Sequence, residues 1–412
     1  MVSRPAVSES KPRNPPTRED FQIAIVCALP TEANAVTVLL DIEYEAFGSI
    51  YKKSHFDANT YTTGRIGRHD VVIVHMPGPG VTEGRAVATH LRSSFRNISL
   101  CLVVGVCGGV PAPLDKANIL LGDVIIATTV VQTDMGRQYP EQMSRKTRVE
   151  DCLGRANPEI RAFLGKLQSK HEHERLRLKT EESMAKLTIN IQFPKARYPG
   201  RDKLVLYPAD YRHKHRDRPC EICDRCNTQQ DPVCDVALQS SCEELGCKAA
   251  NEGTWNGMGQ SSGVPGDEED MIAETVRREL QRINIHFGPI ASSNQVMRSG
   301  QHRDEIAKRE GVLGFEMESA GTWDAIPTIV VKAVADYADS HKSKDWQPYS
   351  AAVAAACTKA ILEEWRDTDR ATDERTDGRS ISISPASVGR INQEVGRQTV
   401  NGNIFYGPIY YG

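Results

Sequence analysis

Gly314-Phe315-Glu316-Met317-Glu318-Ser319-Ala320, followed by Thr328-Ile329-Val330-Val331-Lys332-Ala333-Val334-Ala335-Asp336, decides the fold of this chain. The apolar run over 328–334 reads as a strand buried on both faces, the habit of strands in parallel sheets. It delivers Asp336 at the strand's carboxyl end, and open α/β sheets bind ligands at that edge. The preceding stretch sets Glu316 and Glu318 on either side of Met317.

Working outward, short apolar runs at 22–29, 71–76, 100–106, 119–131 and 285–292 read as further strands, and stretches at 31–40, 83–95 and 349–365 as helices. Strands interleaved with helices predict an α/β fold of three layers, a mixed or parallel sheet flanked by helices. This domain is expected over 21–150 and 284–366. Between its halves, over 151–283, charge density rises and prolines and cysteines cluster, which predicts a Cys-rich, basic insertion outside the sheet. Residues 1–20 read as a disordered leader and 367–392 as a linker, being too poor in large apolar residues to build a core. A flexible tail follows over 393–412.

Composition narrows the function classes. With 39% hydrophobic and 25% charged residues among 412, the chain has apolar material for at least one large core. A net charge of −3 gives no basic footprint for nucleic acid. No run nears the roughly 18 apolar residues that cross a bilayer, and 1–20 lack the apolar centre of a secretory signal. A cytoplasmic location is expected, with the cysteines reduced and Cys27 and Cys101 buried in strands as small hydrophobes.

Residues 21–150 with 284–366 resemble the purine and uridine phosphorylase superfamily of nucleoside phosphorylases and nucleosidases, motif by motif and in order. Ile25-Val26-Cys27-Ala28-Leu29-Pro30-Thr31-Glu32 resembles the first strand and turn of the nucleosidases, which implies that Glu32 holds an attacking water. Val103-Val104-Gly105-Val106-Cys107-Gly108-Gly109 resembles the glycine-rich strand end beside the base, implying contacts from Cys107 and Gly108. Ile290-Ala291-Ser292-Ser293-Asn294-Gln295-Val296-Met297 resembles the strand that touches the purine, with Val296 at its end. Phe315-Glu316-Met317-Glu318 resembles the ribose-binding motif, and Asp336 the acid that faces N7.

The chemistry asks for such residues. Breaking a ribosyl–purine bond builds an oxocarbenium-like centre on the sugar and negative charge on the base. Asp336, set at a buried strand end where desolvation favours the neutral acid, is suited to protonate N7. Glu318, kept ionised, would accept from the sugar hydroxyls and stabilise the positive ring, with Met317 against the sugar's apolar face and Glu316 beside it. The bland reading of either glutamate alone is a carboxylate favoured in the first turn of a helix.

The attacking group is expected to be water. The phosphate site of the phosphorylases resembles an Arg-Val-Gly-Ser run, whereas Val103, Val104, Gly105 and Val106 stand here, and a phosphate dianion against valines would lack a partner. Arg85, beside the Pro77-Gly78-Pro79-Gly80 loop, is the cation that keeps phosphorolysis open as an alternative. The basic block with Arg201, Lys203, Arg212 and Lys214 resembles fungal-type immune effectors of this superfamily that remove adenine from ATP. That resemblance implies Arg201 and Lys203 at the 5′ phosphates, against the alternative of a solvated basic surface.

Six cysteines, Cys220, Cys223, Cys226, Cys234, Cys242 and Cys247, lie near His213 and His215. The Cys220-x2-Cys223 pair, joined by Cys226 and Cys234, reads as a structural zinc site, with buried thiols or disulfides as the alternative. No catalytic metal is expected. Farther on, Gly402-Asn403-Ile404-Phe405-Tyr406-Gly407 is echoed by Gly407-Pro408-Ile409-Tyr410-Tyr411-Gly412. Uncharged aromatic β-prone repeats template cross-β stacking, and the tail resembles amyloid signalling motifs shared with nucleotide-binding immune receptors; a strand docking on the chain's own core is the alternative.

These readings converge on a purine nucleosidase that cleaves ATP or adenosine, works as a homo-oligomer and meets a receptor through its tail. The alternatives are a nucleoside phosphorylase and a catalytically idle interaction module. Deleting 393–412 should abolish assembly, read by sedimentation, while the melting transition of the remaining chain stays in place.

Overall fold

β-Branched and aliphatic side chains fill the inner strands, which are buried on both faces. A computed structural model describes residues 17–44, 51–140, 143–200, 203–248, 282–341 and 344–366, with the backbone alone at 399–400 and 403–404. The chain runs β1 (Ile23–Cys27), α1 (Pro30–Val38), β2 (Ile42–Glu43), β3 (Thr60–Ile66), β4 (His69–His75), α2 (Val81–Ser94), β5 (Leu100–Gly109), β6 (Val124–Gln132), β7 (Gly136–Gln138) and β8 (Met143–Arg145). It continues through α3 (Pro158–Leu167), α4 (Lys170–Thr188), α5 (Glu221–Arg225), α6 (Asp235–Gln239), β9 (Ile285–Ser292), α7 (Gly300–Glu310), β10 (Gly314–Glu316), α8 (Ser319–Trp323), β11 (Thr328–Asp336) and α9 (Gln347–Glu364).

The main sheet has the order β10-β9-β6-β11-β5-β1-β4-β3-β2. Its centre, β11-β5-β1-β4, is parallel, while β6 lies antiparallel to β11 and β3 to β4. The sheet is therefore mixed, as expected. β10 pairs with β9 and also, antiparallel, with β5, placing Gly314 opposite Gly109 and Phe315 opposite Gly108. That second pairing curls one end of the sheet on itself and brings the Glu316–Glu318 turn back to β5.

The expected strands are present, one of them beginning later than read and another strand joining them unread. Residues 119–123 form the approach to β6, pinned by Asp123, whose carboxylate accepts from the Leu120 amide at 2.9 Å. The strand β3, which pairs with β4, carries Thr60-Tyr61-Thr62-Thr63-Gly64 and was hidden by its polarity. The leader also differs: Arg18–Asp20 form a capped 3-10 turn leading into the buried Phe21.

The expected insertion is corrected. Among its described residues no strand joins the main sheet, but α3 and α4 belong to the core, through Ile160, Leu164, Leu167, Leu176, Met184 and Leu187. On α4, Arg175 and Lys179 each hold Glu364 at 2.8 Å, at the end of α9. The Cys-rich stretch has a small core of its own, around Cys223, Ala237 and Leu245. Among the described residues no helix is long and apolar enough to cross a membrane.

Residues 368–412 form a separate unit. Within it β12 (Thr399–Val400) pairs antiparallel with β13 (Asn403–Ile404); the expected linker and the remainder of the aromatic tandem lie outside the described residues.

If α4 is core, Leu176→Ala should cost about 2–5 kcal/mol in urea unfolding. Leu178→Ala, at a position 53% exposed on the same helix, should stay within about 0.5 kcal/mol of the parent.

Candidate active site

The turn from β1 into α1 sets the first acid. Pro30 opens the helix, and the Glu32 side chain folds back so that Oε2 accepts from the amides of Ala28 (3.0 Å) and Leu29 (2.8 Å). Oε1 accepts from the Val106 amide of β5 at 2.8 Å. A methyl on the neighbouring Gly105 would sit 2.2 Å from Oε1, so only glycine admits the carboxylate. Burial pushes the Glu32 carboxyl up from its ordinary range, opposed by Lys332 and the three amides.

Opposite Gly105 in the β11 register stands Lys332. Its ammonium, 1% exposed, lies 2.7 Å from Glu318 Oε2 and 3.6 Å from Glu316 Oε2. Burial alone would lower this lysine, but the carboxylates of Glu318, Glu316 and Glu32 outweigh it and hold the ammonium charged. Burial likewise pushes Glu318 up to about 7 against the pull of Lys332. The carboxylates of Glu316 and Glu32 push in the same direction as burial, and the Lys332 ammonium opposes them.

Glu316 is spent inside the protein. Its carboxylate accepts from the amides of Glu318 (3.1 Å) and Ser319 (3.0 Å) and from the Ser319 hydroxyl, fixing the turn into α8. Expected as a substrate contact, it shapes the loop that presents Glu318. Met317 is half-buried between the two. Helix α2 closes over this turn because Gly84 and Gly321 lack side chains; a methyl would lie 2.5 Å from the Glu318 carbonyl and 2.0 Å from the Val81 carbonyl, respectively.

Asp336 sits farther along the same strand pair. An irregularity between Val334 and Asp336 sets Asp336 beside Gly108, where a β-carbon would come within 2.8 Å of Asp336 Oδ1. Oδ1 accepts from the Ala338 amide at 2.8 Å, and Ala338 adopts the left-handed φ of 53°. Such backbone in a non-glycine residue costs about 1–3 kcal/mol and collects at functional sites. Arg303 of α7, itself buried, donates to the Tyr337 carbonyl at 2.8 Å and steadies the turn. From Gly105 to Gly108 β5 advances about 10 Å at ~3.3 Å per residue, so the carboxylate cluster and Asp336 occupy successive levels of one strand.

The remaining expected contacts are less uniform. Cys107 is buried between these levels, whereas Val296 is 53% exposed beyond β9, and Arg85 stands exposed on α2. Lys203 pairs with Asp345 at 3.2 Å; Arg201 lies outside the described residues. Arg212 and Lys214, grouped with them as 5′-phosphate cations, are instead given to backbone carbonyls, Arg212 to Asp231 (3.0 Å) and Lys214 to Cys223 (3.0 Å).

The Cys-rich segment brings Cys220, Cys234 and His215 together with ligand atoms within 4.8 Å of one another, and Cys223 Sγ lies 3.8 Å from Cys234 Sγ. Cys226, expected in this set, is directed at the Asp231 carbonyl, while His215 stands beside Cys220 and Cys234 with its ring nitrogens 3.0 and 3.1 Å from the Arg218 guanidinium.

The sequence reading passed over Lys332. A lysine inside an otherwise apolar strand was the available signal, since a buried ammonium requires acidic partners. Lys332→Met should destabilise the chain by about 3–5 kcal/mol at neutral pH by stranding buried carboxylates. Because the folded pKa of Glu318 is raised, its contribution to stability is full below the ordinary carboxylate range and is lost as pH rises through about 7. Urea unfolding at pH 5 and pH 8 should accordingly show the variant closer to the parent at pH 5.

The chain is similar to several known proteins. The sequence profile described as the Phosphorylase superfamily matches residues 22–182, a span that holds Glu32 and the β5 glycines but stops short of Glu318 and Asp336. A nucleotide-binding leucine-rich repeat (NLR)-like protein of Hyaloscypha variabilis is 27% identical over 84% of this chain, and the chain spans 29% of that relative's length. Among solved structures, Helicobacter pylori 5′-methylthioadenosine/S-adenosyl homocysteine nucleosidase is 14% identical, with 84% of this chain and 99% of that one covered and a TM-score of 0.42. The futalosine hydrolase of the same organism is also 14% identical, with 85% and 100% covered and a TM-score of 0.43. The likeness to the Phosphorylase superfamily thus rests on residues 22–182, less than half of the chain.

Proposed function

We propose that the chain is a purine nucleosidase that hydrolyses the N-glycosidic bond of adenine nucleotides or nucleosides, splitting ATP into adenine and ribose 5′-triphosphate. The observation that carries this reading is the buried Glu318–Lys332 pair beside Glu32, three β5 positions from Asp336. In the reaction, Glu318 accepts from the ribose hydroxyls and faces the positive charge that grows as the bond lengthens. Asp336 gives its proton to the departing purine at N7. Glu32 has about four lone-pair sites, of which the amides of Ala28, Leu29 and Val106 take three; the remaining one orients water, whose oxygen bonds to the anomeric carbon and whose proton passes to the carboxylate.

Hydrolysis is favoured over phosphorolysis because Val103 and Val104 are buried in the sheet and the Val106 amide is given to Glu32. The NLR-like relative supports an immune effector role, with cytoplasmic assembly through the tail and a receptor partner bearing the same motif. A structural zinc on Cys220, Cys223, Cys234 and His215 belongs to this reading and takes no part in bond cleavage.

The test is chromatography of products from ATP, adenosine and inosine, with and without phosphate. Free adenine from ATP without phosphate is the expected result, and Asp336→Asn should lose about 10²–10⁴-fold in rate with an unchanged circular dichroism spectrum. Base release only with phosphate would replace the proposal by a phosphorylase, and no release from assembled protein by an interaction module.

A further inference from the structure

We propose that His213, Cys242, Cys247 and His341 form a second zinc site, which ties the Cys-rich segment to the loop that carries Asp336. The inference stands apart from the nucleosidase reading. His213 and His215 are separated by one residue and serve different clusters: His215 joins Cys220 and Cys234, and His213 joins Cys242 and Cys247, each set with ligand atoms within 4.8 Å.

The second set has the dimensions of a zinc site. His213 Nδ1 lies 3.6 Å from Cys247 Sγ and 3.8 Å from Cys242 Sγ. Tetrahedral zinc with Zn–N near ~2.05 Å and Zn–S near ~2.3 Å separates nitrogen and sulfur ligands by about 3.6 Å. His213 Nε2 is 2.9 Å from the Ser240 carbonyl; donating there fixes the tautomer and leaves the Nδ1 lone pair for a metal, the usual outer-shell arrangement.

His341 supplies the independent observation. Its imidazole is 1% exposed, yet neither ring nitrogen has a hydrogen-bond partner among the described residues. A buried unpaired polar group of this kind calls for a ligand. The ring stands edge-on to His213, centroids 5.1 Å apart, and stacks on Tyr207 at 3.9 Å. The Asp339 carboxylate lies 3.8 Å from Nδ1; His341 stands outside the set whose ligand atoms lie within 4.8 Å, and its Nε2 becomes the fourth ligand once the ion draws the ring toward His213. Cys242 and Cys247 each release a proton to solvent as the ion binds. Because His341 belongs to the turn running on from Asp336, the ion anchors that turn to residues 207–247 from outside the sheet.

The test is metal content of the full chain purified without chelators, measured by inductively coupled plasma mass spectrometry. Two zinc ions per chain are expected, falling to one in the Cys242→Ser/Cys247→Ser double variant and to one in Cys220→Ser/Cys234→Ser. Cobalt substitution of the wild-type chain should give thiolate charge-transfer bands from both sites, so the proposal remains testable even if a variant fails to fold. His341→Ala should release one of the two ions faster to a chromophoric chelator. A wild-type zinc content that the Cys242→Ser/Cys247→Ser variant leaves unchanged would overturn the second site. An intact mass showing Cys242 and Cys247 joined as a disulfide in freshly purified protein would do the same.

Discussion

The buried ammonium of Lys332 is the charge around which the carboxylates of the candidate site gather. An isolated charge in the middle of a parallel sheet would carry a desolvation penalty of several kcal/mol. It is tolerated because Glu318 and Glu316 converge on it at 2.7 and 3.6 Å. The convergence requires β10 to curl back onto β5, β5 to carry glycine where Glu32 enters, and α2 to lie close enough for Gly84 to touch the Glu318 carbonyl. The arrangement of carboxylates follows from satisfying that one charge.

The two ends of the site are built differently. At the Gly105 level each acid is tied by fixed donors: Glu32 by three amides, Glu316 by two amides and a hydroxyl, Glu318 by the lysine. Groups so preorganised need little rearrangement when charge develops nearby. At the Gly108 level Asp336 sits on a sheet irregularity followed by a left-handed Ala338. That turn is over-determined from outside by Arg303 and by the packing of His341 against Tyr207 and His213. Strained backbone persists only where surrounding structure enforces it.

Much of this was legible in the residues. The runs at β1, β4, β5, β9 and β11 are apolar and bounded by glycine, proline or polar residues, so their strand character follows from pattern alone. Glu32, Glu318 and Asp336 were visible because each stands at the end of such a run or beside a methionine in an otherwise acidic turn. Strand β3 was not, because Thr60 to Gly64 carry three threonines and a glycine in place of an apolar run, even though Thr63 is fully buried. Helix α4 was misplaced because its many charges mask a narrow apolar stripe through Leu176, Met184 and Leu187, and because its partner Glu364 lies far along the chain.

What the sequence by itself determined is the alternation of strand and helix, the apolar core and the identity of the acids, since these depend on local composition and on periods of two and 3.6 residues. Tertiary structure alone decided which acid does what. Glu316 and Glu318 are chemically equivalent and two positions apart, yet one is consumed by its own turn and the other meets Lys332. The same holds for the cysteines, where His215 stands beside Cys220 and Cys234 while Cys226 is directed at the Asp231 carbonyl. Hydrogen-bond and ligand geometry is set by distances of a few tenths of an ångström between residues remote in the chain, and such distances exist only once the chain has folded.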